Sequence, residues 1–259
     1  MPFSGGRVRR HASPWRTYRA RCRPGPGEVG FQAVVEQTDL WVVAQRDLRR
    51  EMLQAVNACR GLLQAHIARH PEFATSLEPV DVSPDAARIV QDMARAGRIC
   101  GVGPMAAVAG AVAQWVAAWI AGHCPEVGPT LLVENGGDLY LRSDRERIVG
   151  LLAMPENGAG LGLRLTPDDF PCSLCSSSAT IGHSLSFGQA DLVAVRSRDA
   201  ALADAAATAL ANLLHAPEDM PLVMRRAEAL AEHGLDGVFA QCGDRVGVWG
   251  RMDLVCLEA

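Results

Sequence analysis

The chain has 259 residues, 49% of them hydrophobic and only 5% aromatic, which calls for an aliphatic, alanine-rich core and excludes a low-complexity chain. Its formal net charge is −4, and all 25 of its Lys+Arg residues are arginine, so Schiff-base and lysine general-base chemistry are excluded outright.

Seven arginines (Arg7, Arg9, Arg10, Arg16, Arg19, Arg21 and Arg23) fall within the first 23 residues, which hold no acid and leave 18 arginines against 29 acidic residues in the remainder. This segment reads either as a contact for nucleic acid, anionic lipid or another anion, or as a solvated or sheet-tethered end, with nucleic acid not expected as a partner. No apolar stretch follows the arginines and no lipobox is present, so a cytoplasmic location is expected. Residues 1–27 are expected to form the basic segment and residues 28–259 one domain.

Residues 29–35 and 40–44 read as two strands of a hairpin around Gln37, Thr38 and Asp39. Asp47 then caps an amphipathic helix carrying Leu48, Met52, Val56, Leu63 and Ile67 at helical spacing up to Pro71. Ser83-Pro84 reads as N-cap and first position of a helix over 85–96. From Ile99 to Cys124 nothing is more polar than Gln114 and His123, a length that meets the membrane-spanning requirement. Its helical part, 105–121, is mostly alanine and glycine with no arginines crowding one flank, so a wholly buried helix is expected and no membrane partner.

A strand over 130–133, a turn at Glu134-Asn-Gly-Gly-Asp138 and a strand over 139–141 follow. Further strands are expected at 147–154, 160–165 and 192–196. Asp199 caps an alanine-rich helix to about Leu214, 219–233 forms another, and strands over 237–241, 246–249 and 254–257 close the chain. Hairpins rather than strand-helix alternation point to an α+β fold with a largely antiparallel sheet. No GxGxxG follows a strand, and there is no GxSxG elbow for a serine hydrolase. The eight cysteines are scattered, several in apolar runs, which suits buried reduced thiols; Cys172-Ser-Leu-Cys175 is a lone CxxC and a weak zinc pattern.

Three segments can carry chemistry. In Ala203-Asp-Ala-Ala-Ala-Thr-Ala209, Asp204 and Thr208 stand one helical turn apart, about 6 Å, on a helix otherwise filled with alanine. They can aim oxygens at one hard cation such as magnesium, or Thr208 can bond back to the carbonyl four residues earlier while Asp204 meets an arginine or water. Glu134-Asn-Gly-Gly-Asp138 offers backbone N–H groups and two carboxylates to a ligand, or is a plain hairpin turn. The hydroxyls of residues 176–180 and the imidazole of His183 can bind phosphate and act as a general base, or form a polar loop.

Taken in order, Gly103-Pro-Met-Ala-Ala-Val-Ala-Gly110, the ENGGD of 134–138, CSSSATIGHSLSFGQAD at 175–191 and ADAAATAL at 203–210 resemble an uncharacterised family of ApbE-like proteins. The resemblance implies an ApbE-like, T-fold-like mixed sheet packed with helices. ApbE proper is a magnesium-dependent FAD:protein FMN transferase, which cleaves FAD and attaches FMN to a threonine or serine hydroxyl. By this resemblance Asp204 and Thr208 are metal ligands, Asn135, Gly136, Gly137, Asp138, Ser176, Ser177 and Thr180 line the site for FAD or FMN, and His183 deprotonates or orients the accepting hydroxyl. The implied partners are a flavin nucleotide or another phosphate-bearing ligand and an acceptor protein; a homo-oligomer is left open, since the sequence does not give the oligomeric state. Two departures stand out. Val108-Ala109-Gly110 occupies the place of an alanine-lysine-glycine step, and His183 is followed by Ser-Leu-Ser rather than Ile-Ile-Asp-Pro. The alternative is a non-catalytic ligand-binding or assembly protein that retains the fold.

Overall fold

The computed structural model describes residue 19 and residues 24–151, 160–178, 188 and 190–257. The first two apolar runs form β1 (Val29–Val35) and β2 (Thr38–Ala44), antiparallel and in register from Val29 opposite Ala44 to Val35 opposite Thr38. The reversal needs one residue in the left-handed region, and Glu36 takes it at φ 51°. Helix α1 (Arg49–Arg69) buries Met52, Val56, Cys59 and Leu63. It starts one residue beyond the expected cap: Leu48 is the N-cap, and Asp47 accepts from the Arg49 N–H at 2.8 Å. After α2 (Glu72–Thr75), α3 (Arg88–Cys100) also begins later than Ser83-Pro84 predicts. Ser83 Oγ accepts from the Asp85 N–H at 3.2 Å, so the Ser-Pro pair makes a turn before the helix instead of opening it.

A single-turn segment, Pro104–Ala107, leads into α4 (Val108–His123). Among the described residues Pro104–His123 is the one helix long and apolar enough to cross a membrane, with mean hydropathy 1.5, and 44% of that window is buried. The expectation of a wholly buried helix is therefore corrected. Val112, Val116 and Ile120 face the core while Ala118 and Ala121 are exposed, because alanine is apolar too weakly to demand burial.

Next come β3 (Leu131–Asn135), β4 (Asp138–Arg142), β5 (Arg147–Leu151), β6 (Gly160–Leu165), β7 (Cys172–Ser177) and β8 (Leu192–Ser197). The chain ends in α5 (Ala200–Leu213), α6 (Met220–Ala229), β9 (Leu235–Cys242), β10 (Arg245–Gly250) and β11 (Leu254–Leu257). Eight strands form one sheet in the order β1-β2-β3-β4-β7-β8-β9-β10, every neighbouring pair antiparallel. The other three form a second antiparallel sheet, β11-β6-β5. The α+β architecture with a largely antiparallel sheet matches the reading from sequence.

Side-chain alternation along the strands separates two cores. Val193, Val195 and Cys175 point to the helices with Val42, Val133 and Val238, whereas Leu192, Ala194, Cys172 and Leu174 point to the small sheet with Leu163 and Leu165. The molecule is thus layered as helices, large sheet, small sheet. By sequence the Cys172–Ser177 run shows only a CxxC pair and a hydroxyl-rich stretch. Cysteine and serine have little strand preference of their own, and it is pairing to β4 and β8 that makes this run a central strand.

Candidate functional site

Asp199 caps α5 as expected, its Oδ1 accepting from the Leu202 N–H at 3.1 Å. Nearly every residue of the first two turns of α5 is buried, and their small size lets α4 come close. A Cβ built on Gly110 would lie only 2.3 Å from the Ala200 carbonyl oxygen and 3.0 Å from the Asp204 Cβ. That approach brings the Gly110 N–H to 2.9 Å from Asp204 Oδ2. Among the described residues Asp204, 7% exposed, therefore meets no arginine but a backbone donor of the neighbouring helix.

The Gly136-Gly137 turn between β3 and β4 has both residues at positive φ, 72° and 107°, as a two-residue hairpin of this hand requires. On its helix-facing side Asn135 Nδ2 donates to the Ala109 carbonyl at 3.1 Å, and Asp138 Oδ1 accepts from the Ser176 N–H at 3.0 Å. Ser176 Oγ donates to the Gly137 carbonyl at 3.3 Å. On the other side Glu134 Oε1 accepts from the Gly137 N–H at 2.8 Å, and Arg19 Nε donates to Glu134 Oε2 at 2.6 Å. The expected arginine-rich end is thus sheet-tethered at Arg19, the one of its seven arginines that lies within the described residues.

Successive strand residues alternate faces, so the CxxC of β7 cannot share a metal. Cys172 lies in the small-sheet core, while Cys175 faces α5 with its Sγ 3.6 Å from the Ala200 carbonyl. Burial pushes both thiols up, Cys172 to about 12, and leaves them protonated. Ser177, on the same face as Cys175, is buried and its hydroxyl has no partner among the described residues.

Burial raises Asp138 to about 7, overcoming the Ser176 N–H and helped by the charge of Glu134. Burial likewise raises Asp204 well above the usual carboxylate range, with the Asp138 charge adding to it and the Gly110 and Ala109 N–H groups opposing it. No arginine bonds to either carboxylate among the described residues. Nor, among the described residues, do three or more His, Cys, Asp or Glu side chains group as a metal cage. A magnesium ion asks for less, one or two carboxylates with phosphate and water completing its shell. Two mutually repelling carboxylates, with the half-buried Thr208 a turn beyond Asp204, fit that demand. The Thr208 hydroxyl makes no bond back to the Asp204 carbonyl among the described residues, unlike Thr75, which bonds back to Pro71.

Asn135, Gly137, Asp138, Ser176 and Asp204 are therefore linked through the α4 start and β7, and Gly136 sits in the same turn. Thr180 and His183 lie outside the described residues. Sequence reasoning misses Arg19. The signal that could find it is a glutamate, Glu134, at the end of an apolar strand in a chain whose only strong cation is arginine. A separate cavity of about 220 Å³ at the α5 start is lined by Arg88, Asp92, Arg95, Gln114, Arg198 and Asp199. Its acids are paired with Arg88 and Arg95, so it is a weaker candidate.

The family model described as AbpE bacteria matches residues 19–237. UPF0280 protein MJ1526 of Methanocaldococcus jannaschii is 40% identical over 194 residues, spanning 73% of this chain and 77% of that one. The UPF0280 protein of Methanocella arvoryzae is 36% identical over 218 residues, spanning 84% and 87%. Among solved structures, the flavin transferase ApbE from Vibrio cholerae superposes with a TM-score of 0.55 at 11% identity, covering 86% of this chain and 96% of that one. The Pseudomonas stutzeri flavinyl transferase ApbE gives 0.53 at 14% identity, with coverage of 86% and 94%. At these identities the structural likeness bears on the fold alone.

Proposed function

Because the chain belongs to the AbpE bacteria family, we propose that it binds a flavin nucleotide with a divalent cation, magnesium first, and moves FMN from FAD to a protein hydroxyl or cleaves the FAD pyrophosphate. The observation that carries this reading is a pair of buried carboxylates, Asp138 at a glycine turn and Asp204 on a helix, joined to one hydrogen-bonded network through the α4 start, with no arginine on either among the described residues. Structural ion networks pair such groups with a cation of their own; a binding site leaves the place open.

In this reading Asp138, Asp204 and Thr208 hold the cation, which when bound would neutralise charge on the departing phosphate. The protein's own groups do the rest. Gly136 and Gly137 let backbone approach the nucleotide without a Cβ in the way. Ser177 and Thr180 offer hydroxyls to the phosphates, and the Ser177 hydroxyl, without a partner among the described residues, supports that role, while Ser176 braces the turn through the Gly137 carbonyl. His183 deprotonates or orients the accepting hydroxyl.

A second reading, a ligand-binding or assembly protein without chemistry, is favoured by one feature. Where the resemblance expects a lysine step, Ala109 stands instead, and its carbonyl already accepts from Asn135. Incubation with FAD and magnesium separates the two, FMN formation being followed chromatographically with Asp204→Ala as control. The enzyme reading expects magnesium-dependent FMN that the variant does not form; no FMN at any magnesium level would leave only the second.

A further inference from the structure

We infer that Arg19 is a positioning residue for the nucleotide turn, clamping Gly136-Gly137 through Glu134 from the far side of the large sheet. The inference deepens the proposed flavin site and rests on it. Asn135 reaches into the helix layer to the Ala109 carbonyl, so its strand neighbour Glu134 projects from the opposite face. There Arg19, 9% exposed, covers Glu134, 5% exposed.

All three guanidinium nitrogens are engaged. Nε donates to Glu134 Oε2 at 2.6 Å, Nη1 to Asp39 Oδ1 at 2.7 Å and Nη2 to the Asp39 carbonyl at 2.8 Å. A flat, forked cation can satisfy that set at once, whereas an ammonium cannot. Asp39 belongs to β2, so the fork ties Glu134 to a second strand. Glu134 then spends its other oxygen on the Gly137 N–H, 2.8 Å away. The carbonyl of the same glycine accepts from Ser176. Gly137 is thus held at both its N–H and its carbonyl, although it has no side chain of its own.

Two consecutive glycines would otherwise lose more conformational freedom on meeting a ligand than any other pair of residues. A turn already held in place binds more tightly because that ordering is complete beforehand. The burial of both ions makes the clamp specific, since a charge taken out of water needs an opposite charge beside it, and Arg19 has both Glu134 and Asp39. Glu134 also lies near enough to Asp138 for its charge to raise that carboxyl, so the clamp and the carboxylate pair are in electrical contact.

Arg19→Met in the full chain tests this, with amide hydrogen exchange of the ligand-free protein and FAD titration in magnesium followed by flavin fluorescence. Exchange at Gly136, Gly137 and Asp138 is expected to quicken while β8 and β9 keep their protection. FAD affinity is expected to fall roughly tenfold, the lower end of what losing an outer partner costs a metal site. Arg19→Lys, which keeps the charge and loses the fork, is expected to recover only part of both. Unchanged exchange at the turn, or faster exchange spread evenly through the chain, overturns the clamp. If the unaltered chain binds no FAD, the flavin reading fails while the exchange result still decides the clamp. Should Arg19→Met fail to fold, Glu134→Gln severs the same ion pair without burying a lone carboxylate, and the same exchange outcomes apply.

Discussion

Glu28 and Asp169, like Asp138 and Asp204, are buried carboxylates, yet the first two sit against guanidinium groups, whereas the second two have backbone N–H partners and no guanidinium among the described residues. Arg147 holds Glu28 down to about 2, with Arg147 Nη1 2.9 Å from Glu28 Oε2. Against the upward pull of burial, the Thr166 N–H and Arg196 hold Asp169 at about 2, and Arg251 joins them at 2.7 Å. In the site, burial and mutual repulsion drive the carboxyl groups the other way. The contrast teaches where this fold pairs its buried carboxylates with its own arginines and where, among the described residues, it does not. Glu28 and Asp169 fasten loops to the sheets; Asp138 and Asp204 favour the neutral acid in the chain alone, and in the proposed reading a cation takes the place of the proton.

The largest expected effect is on the paired side. Asp169→Ala leaves Arg196, only 3% exposed, without its carboxylate and is expected to cost about 3–5 kcal/mol in urea denaturation, the usual result of removing one partner of a buried pair. A loss under about 1 kcal/mol, as at exposed pairs, would erase the distinction between the two regions. Asp204→Ala should show the reverse pattern. Magnesium-dependent FAD affinity by calorimetry is expected to fall by at least roughly a hundredfold, since losing a ligand costs no less than the upper end of outer-partner losses at metal sites, with no loss of folding stability.

A smaller effect sharpens how the site is assembled. Gly110→Ala places a methyl 2.3 Å from the Ala200 carbonyl, which must push α4 off α5. A cost of about 1–3 kcal/mol is expected, together with weaker cation binding, because the Gly110 N–H moves away from Asp204. Unchanged cation affinity would mean that the α4–α5 contact does not set the site.

The smallest effect concerns pH. Asp138 has a folded value of about 7 against an ordinary aspartate value of 3.8, so its contribution is fully present below about pH 4 and is lost as pH rises through 7. Glu28 and Asp169 run oppositely: their contribution is present above about pH 4 and is lost as pH falls toward 2. The metal-free chain should therefore melt highest at mildly acidic pH. At pH 8, Asp138→Asn should raise Tm by roughly 2–4 °C, the shift that about 1 kcal/mol produces in a protein this size. A drop in Tm would show that the charged form of Asp138 is stabilised by something other than a bound cation.

Much of the fold is legible because its signals are local. The strands at 29–35 and 160–165, the Asp199 cap and the Gly136-Gly137 turn follow from alternation, capping chemistry and the demand for positive φ, and each appears where those signals place it. Strand β7 is not legible, since Ser and Cys carry no strand pattern and only β4 and β8 on either side impose one. The Ser83-Pro84 pair misleads because a cap-like pair also makes a turn, and the choice rests on what the following residues pack against.

The candidate site divides along the same line. Sequence by itself determined the residue types and their order: a helical aspartate and threonine one turn apart, a glycine turn between two acids, a hydroxyl-rich run, and no lysine to serve them. Only the tertiary structure decided their partners. Asp204 could have met water, an arginine or a cation, and it meets the Gly110 backbone and the field of Asp138. Arg19 could have been a loose basic end, and it closes behind Glu134, 115 residues away. Propensity and periodicity act within a turn or two, whereas the energy of a buried charge depends on whichever group the fold sets beside it, however far along the chain.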